Sequence, residues 1–377
     1  MGGRIHKAAD CGKVGFTPAA AAGRVLRCHW TAVHCRTAGL LLAAILLAAS
    51  VTGCAGNETV GQASGQRYAY PLATGSPEDT VTQIYAEKFA EEVGRLSDGR
   101  IKIQVYPNSV LGGDRELLES CYDGDIPFVV QNTATQVNFI PDTAVFDVPC
   151  AFESLDEVRR TVDDAHFMEL MRESYRKAGY RLLGYSDQGF RVMSTNKEVR
   201  ELKDFKGQKI RTMENSYHID FWKSLGANPT PMSYSEVYIG LQQHTIDAQE
   251  NPYEVIVSNR LYEQQDYVVE TNHLPHLISL IASETFFQEL PEQDRAIIVK
   301  AQETAREYSR KASDERIADK IKVIEESGTK IISLDEGVRQ EMLDAASDVC
   351  ASIEEVVNPD IMDVYLSFGG SFLNLRN

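Results

Sequence analysis

Between residues 292 and 327 the sequence contains neither glycine nor proline. Nothing there interrupts a helix, so the stretch predicts one helix of up to 36 residues, closed by Gly328. That is about three times the usual length. In a chain of 377 residues, long enough for two domains, such a helix can run across both.

The rest of the body alternates between strand and helix patterns. Residues 68–73 read as a strand. Ser76, Pro77 and an acid at 79 look like a helix start, and Val81, Ile84, Tyr85, Phe89, Val93 and Leu96 make one buried stripe. Ile101, Ile103 and Val105 alternate with polar residues up to Pro107. A short helix follows the glycines at 112–113, then a buried strand over 126–130. This β-α-β-α-β rhythm predicts an α/β domain with a mainly parallel sheet. Residues 155–178 read as one helix, 180–185 and 190–195 as strands. A turn at 204–207 leads into a strand ending at Arg211, and a second α/β unit continues to about residue 272.

Charge narrows the function classes. Lys and Arg number 38 against 55 Asp and Glu, a net −17. The first 53 residues hold six basic residues and one acidic, leaving 32 basic against 54 acidic beyond them, or −22. A body this acidic is ill suited to nucleic acid or to an anionic lipid surface. With 43% hydrophobic and 25% charged residues the composition is globular.

The N-terminus reads as a targeting segment. Residues 38–51 are nearly all apolar and follow Arg36; as a helix they span about 21 Å, short of a ~30 Å bilayer core. This suits a signal peptide over 1–53. It ends in Val51-Thr52-Gly53-Cys54, which resembles a bacterial lipobox, with Cys54 as the lipidated residue; an ordinary signal with an incidental cysteine is the alternative. Residues 1–35 are long for a signal, which suggests a start assigned too far upstream. Residues 54–66 form a glycine-rich tether. Cys121, Cys150 and Cys350 then remain, without metal or pairing spacing, and read as buried small hydrophobes. The expectation is an exported, lipid-anchored protein facing the periplasm or cell exterior.

Catalytic signatures are missing: no G-x-S-x-G, no G-x-G-x-x-G after a strand, no P-loop, no H-E-x-x-H. Pro275 separates His273 and His276 and spoils a helical metal pair. No metal or cofactor is expected.

The segment 189–252 carries a resemblance. GFR at 189–191, LKDFKGQKIR at 202–211, LGANPTPM at 225–232, SEVYIGLQ at 235–242 and IDAQENP at 246–252 occur in fixed order, with DGRIKI at 98–103, YPN at 106–108 and LGG at 111–113 upstream. The chain resembles the substrate-binding proteins of tripartite ATP-independent periplasmic (TRAP) transporters, the DctP-like family, from about residue 67 onward. The resemblance implies a two-domain periplasmic-binding-protein fold that closes on its ligand, with crossing hinge strands near 187–190 and 273–277. It implies domain I over 67–188 plus about 277–316, and domain II over 189–276 plus about 317–377. It implies small and large integral membrane subunits as partners, driven by a sodium gradient, and a monomeric, non-enzymatic protein.

It also implies that Arg211 holds a substrate carboxylate, that Arg191 assists and that Asn251 contacts the ligand. A guanidinium at a strand end suits this, because its rigid fork matches both carboxylate oxygens and stays charged when desolvated. Asn251 could instead cap the helix after Pro252. Glu214 is placed to accept sugar hydroxyls or to pair with a lysine. Tyr234 and Trp222 are candidates for an aromatic wall, although Trp222 shares a helical stripe with Ile219 and Phe221 and fits the core as well. Gln131 and Asn132 follow a buried strand and face the expected cleft. Some sialate-binding relatives carry Glu at the position of Asn132, a departure that speaks against sialate. The ligand class is an organic acid, a hexuronate or similar sugar acid favoured over a C4-dicarboxylate. The rivals are a lipid-anchored hydrolase with hidden carboxylates and an ABC-type solute- or metal-binding protein.

Overall fold

A computed structural model describes residues 67–369. The apolar run, Cys54 and the tether lie outside the described residues. Along the chain come β1 (Tyr68–Ala73), α1 (Val81–Leu96), β2 (Ile101–Tyr106), α2 (Asp114–Asp123), β3 (Phe128–Asn132), α3 (Leu155–Asp163), α4 (Ala165–Lys177) and β4 (Tyr180–Phe190). Next are β5 (Val192–Thr195), β6 (Lys209–Thr212), α5 (Ser216–Ser224), β7 (Asn228–Pro231), α6 (Val237–Gln242), β8 (Ala248–Asn251), α7 (Tyr253–Ser258) and β9 (Tyr267–Glu270). The chain ends with β10 (Pro275–Ser283), α8 (Glu284–Glu289), α9 (Glu292–Glu326), β11 (Lys330–Ser333), α10 (Glu336–Ala345), α11 (Ser347–Val356) and α12 (Pro359–Phe368).

Two sheets result, in the orders β2-β1-β3-β10-β4 and β11-β9-β5-β8-β6-β7. Both are mixed rather than mainly parallel. β10 runs antiparallel to β3 and β4, and β5 runs antiparallel to β8 and β9. The physical reason is the crossing. β5 enters the second sheet directly from β4 of the first, and β10 returns from β9, so each arrives against the direction of its neighbours. The crossings lie side by side, with Pro275 opposite Phe190 and the Arg191 amide donating to the Leu274 carbonyl at 2.9 Å.

Two helix boundaries differ from the sequence expectation. α1 begins at Val81, because the hydroxyl of Thr80, not Ser76, accepts from the Gln83 amide (3.2 Å). Ser76 stays in a loop, its amide bonded to the Thr74 hydroxyl at 3.1 Å. The apolar stripe of Val81, Tyr85, Phe89 and Val93 is fully buried. The helix expected over 155–178 breaks at Asp164, whose extended backbone ends α3 while its carboxylate caps α4 through the Phe167 amide (2.9 Å).

α9 is the long helix, 35 residues, followed by Gly328 at φ +95°. It packs against α1 and β4 at one end of its length and against α7 and β11 at the other. Its buried face carries Ala301, Ala305, Ser309 and Ser313 at one-turn spacing, small residues that let the backbones approach. At Gly184 in β4 a Cβ would lie 1.9 Å from Nε2 of Gln302, so the glycine leaves room for that side chain. Cys121 and Cys150 are buried free thiols, while Cys350 is half-buried. Among the described residues no helix is long and apolar enough to cross a membrane.

Candidate functional site

Two adjoining recesses of about 70 and 40 Å³ open between the sheets. They share Gly75, Asp114, Arg211, Met213 and Tyr234, so they form one cleft. A buried water takes up ~10–15 Å³ on this measure, so the cleft suits a small molecule rather than a polymer.

Arg211 sits on β6, opposite Gln249 of β8 and Thr230 of β7. Its side chain is only 2% exposed. Nε and Nη2 both donate to the Met232 carbonyl, at 3.0 and 2.6 Å, which fixes the plane of the guanidinium. Nη1 has no hydrogen-bond partner, and no carboxylate comes within 4.0 Å, among the described residues. Burial pulls its pKa down to about 10, with Glu250 opposing and Arg191 adding to the fall. The group therefore keeps its charge at neutral pH. Buried cations are ordinarily paired; this one is not.

Arg191 lies behind the cleft rather than in it, and each of its three nitrogens is engaged. Glu250 binds Nε and, at 2.9 Å, Nη2; Nη2 also reaches the Glu250 carbonyl (2.6 Å) and Asn251 Oδ1 (3.1 Å). Nη1 meets Nδ1 of His276. A guanidinium has only donors, so that nitrogen accepts. Burial, reinforced by Arg191, holds His276 neutral, well below the usual histidine range. Burial would raise the pKa of Glu250, but Arg191, His218 and His273 outweigh it and hold the carboxyl well below the usual range.

His218 of α5 extends this cluster. Its Nε2 lies 2.9 Å from Asp147 Oδ1 and its Nδ1 3.8 Å from Glu250 Oε1. Burial alone would lower its pKa; the two carboxylates overcome that and lift it to about 9. Asn215 ties the same region together by donating to Asp147 Oδ2 (2.6 Å) and the Ala134 carbonyl (2.9 Å). Glu254 of α7 does the equivalent elsewhere, accepting from the Val81 amide at the start of α1 (3.0 Å), from Gln188 (2.7 Å) and from Arg316 of α9 (2.6 Å).

The remaining expected residues divide. Tyr234 walls both recesses, its hydroxyl donating to the Val255 carbonyl at 3.2 Å. Glu214 stands exposed at the mouth. Asn251 lines the inner recess and caps no helix; its amide donates to Gln249 Oε1 (2.7 Å). Asn132 lines it too, but both ends of its amide are engaged, with the Ala134 amide and the Leu277 carbonyl, each at 2.9 Å. Gln131 does not line the cleft. Strand alternation turns it to the other face of β3, where both amide atoms are buried without a partner among the described residues. Trp222 is likewise outside, packed edge-on to Phe221, Phe205 and His273. Asp114 and His276 line the cleft but were not singled out from sequence. From sequence Asp114 only begins the short helix after the glycines at 112–113, and Pro275 sets His276 aside as a metal ligand. Among the described residues no group of three His, Cys, Asp or Glu could hold a metal ion.

The profile of the bacterial extracellular solute-binding proteins, family 7 (DctP), matches residues 72–355. The chain belongs to this family. Its members are substrate-binding proteins of transport, extracytoplasmic and not enzymes. The solute-binding protein RD1_1052 of Roseobacter denitrificans is 31% identical over 76% of this chain and 88% of its own length. Among solved structures, the sugar acid binding protein DctPAm of Advenella mimigardefordensis, in complex with galactonate, superposes with a TM-score of 0.77 at 27% identity, covering 80% of this chain and 98% of that one. A TRAP periplasmic solute-binding protein of Shewanella oneidensis with bound succinate gives 0.76 at 26% identity, covering 80% and 99%. The two-sheet α/β architecture with its long helix is thus that of the TRAP binding proteins.

Proposed function

We propose that this protein captures a small organic acid in the cleft through a carboxylate–Arg211 pair and delivers it to a TRAP membrane transporter. The observation that carries this is the buried, unpaired guanidinium of Arg211, held by a backbone carbonyl with Nη1 free. Each charge-assisted hydrogen bond is worth roughly 1.5–3 kcal/mol. Micromolar affinity needs about 8 kcal/mol, which one such pair, a few neutral bonds and apolar contact supply. Relatives crystallised with galactonate and with succinate support an acid ligand.

Arg191 acts from behind, holding Glu250 and Asn251 in place. The two lobes correspond to residues 67–188 plus about 277–316, and 189–276 plus about 317–377, and they close by bending near residues 187–190, where β4 passes into β5, and near residues 273–277, where the chain enters β10. Closure is an equilibrium biased by contacts that exist only in the shut form. Cys54 anchors the protein by lipid at the outer face of the membrane, residues 55–66 give it reach, and it meets the small and large membrane subunits as a monomer.

Calorimetric titration with a panel of sugar acids and C4-dicarboxylates tests this. One or more acids should bind the wild type, and none should bind Arg211→Met, with both proteins equally folded by circular dichroism. Undiminished binding by Arg211→Met removes the proposal.

A further inference from the structure

The cleft holds more acid than a site for anions needs. Asp114, Glu116 and Glu214 all line the recess that contains Arg211. The other cation there, Arg115, is half exposed and turns toward Glu119, with its Nε at 3.2 Å, and over the Phe139 ring. Asp114 opens α2 yet caps nothing; it feels the charge of Arg211 without coming within ion-pair distance, and no described residue donates a hydrogen bond to it. Burial, with Glu116 and Glu214 adding to it, pushes its pKa up to about 6, against the pull of Arg211. Its carboxylate is seated against the bare Cα of Gly75, where a Cβ would lie 2.7 Å from Oδ1. The cleft therefore presents a free cation and a free acceptor set apart from each other.

We propose that Asp114 is a specificity-determining residue, selecting a hydroxylated monocarboxylic acid of the aldonate or uronate class over a dicarboxylate. This rests on the proposed Arg211 pair. With one carboxylate on Arg211, the far end of the ligand meets Asp114 and its two acidic neighbours. A hydroxyl donates to that carboxylate, whereas a second carboxylate is repelled by it and by its two acidic neighbours. The side-chain amides of Asn132 and Asn251 and the Tyr234 ring complete the polar lining.

Isothermal titration at pH 7.5 with galactonate, erythronate, galacturonate, succinate, malate and ectoine decides it, using wild type, Asp114→Asn and Arg211→Met. The wild type should bind at least one of the three sugar acids ten times more tightly than succinate. Asp114→Asn, which breaks no protein hydrogen bond, should cut that ratio below threefold by weakening the sugar acid and strengthening succinate. A wild type that prefers succinate or ectoine, or an unchanged ratio in Asp114→Asn, overturns the selectivity and leaves Arg211 in place if Arg211→Met binds nothing. A wild type that binds none of the panel, or Arg211→Met binding as well as wild type, overturns the arginine pair itself.

Discussion

Arg211 and Arg191 are both buried guanidinium groups of the second sheet's lobe, and they behave in opposite ways. Arg191 is enclosed by Glu250, Asn251 and His276, so its charge is satisfied within the fold. Arg211 is gripped by one carbonyl and, among the described residues, has no counter-charge within ion-pair distance. Burial and residue type do not separate them; what separates them is whether the protein supplies the anion. A buried charge that is already paired belongs to the architecture, and one that is not is open to an anion from outside the fold.

The largest test of this contrast is at Glu250. Glu250→Ala should destabilise the protein by about 3–5 kcal/mol in denaturant unfolding, because it strands Arg191 and deprives His273 and His218 of their shared carboxylate. An unfolding midpoint close to wild type would mean that Arg191 finds another partner and is less structural than its contacts imply. Next comes Arg211→Met, with an affinity loss of at least about a hundredfold and little change in apo stability, since no ion pair is broken.

A smaller effect is expected with pH. The pKa of His218 is lifted to about 9 in the fold, above its usual 6.5. Its stabilising contribution is complete below about pH 6.5 and is lost as pH rises through about 9. Melting temperature should therefore fall across that interval, and His218→Gln should flatten the fall. Equal slopes in the two proteins would remove His218 as its source. Smallest of all, Trp222→Phe should leave the Kd for any bound acid within about twofold, because the indole packs on Phe205, Phe221 and His273 rather than lining the cleft. A tenfold change by titration would return Trp222 to the binding surface.

Sequence alone was informative where chemistry is local. α9 followed from the absence of Gly and Pro, and Arg211 stood out from its motif and its strand-end position. Pairing partners were not legible, since Glu250 reaches Arg191 only because β8 and β5 are neighbours. The same holds for Gln131 and Asn132: which of two adjacent residues faces the cleft depends on the face of β3 that the sheet turns inward. The helix break at Asp164 was missed because a side chain that ends one helix and caps the next leaves the hydrophobic spacing undisturbed. Asp114 was hidden by its ordinary position at a helix start. Its significance comes from Gly75, 39 residues earlier, and from the arginine across the gap.

The uncompensated Arg211 also bears on the protein's economy of motion. On the proposed closure, shutting the lobes on an empty cleft would leave a desolvated cation without an anion, so electrostatics would oppose it. A carboxylate cargo would lift that penalty. Occupancy and shape would then be coupled at a single side chain, and a receptor that recognises only the shut outline would be spared futile visits from empty carriers.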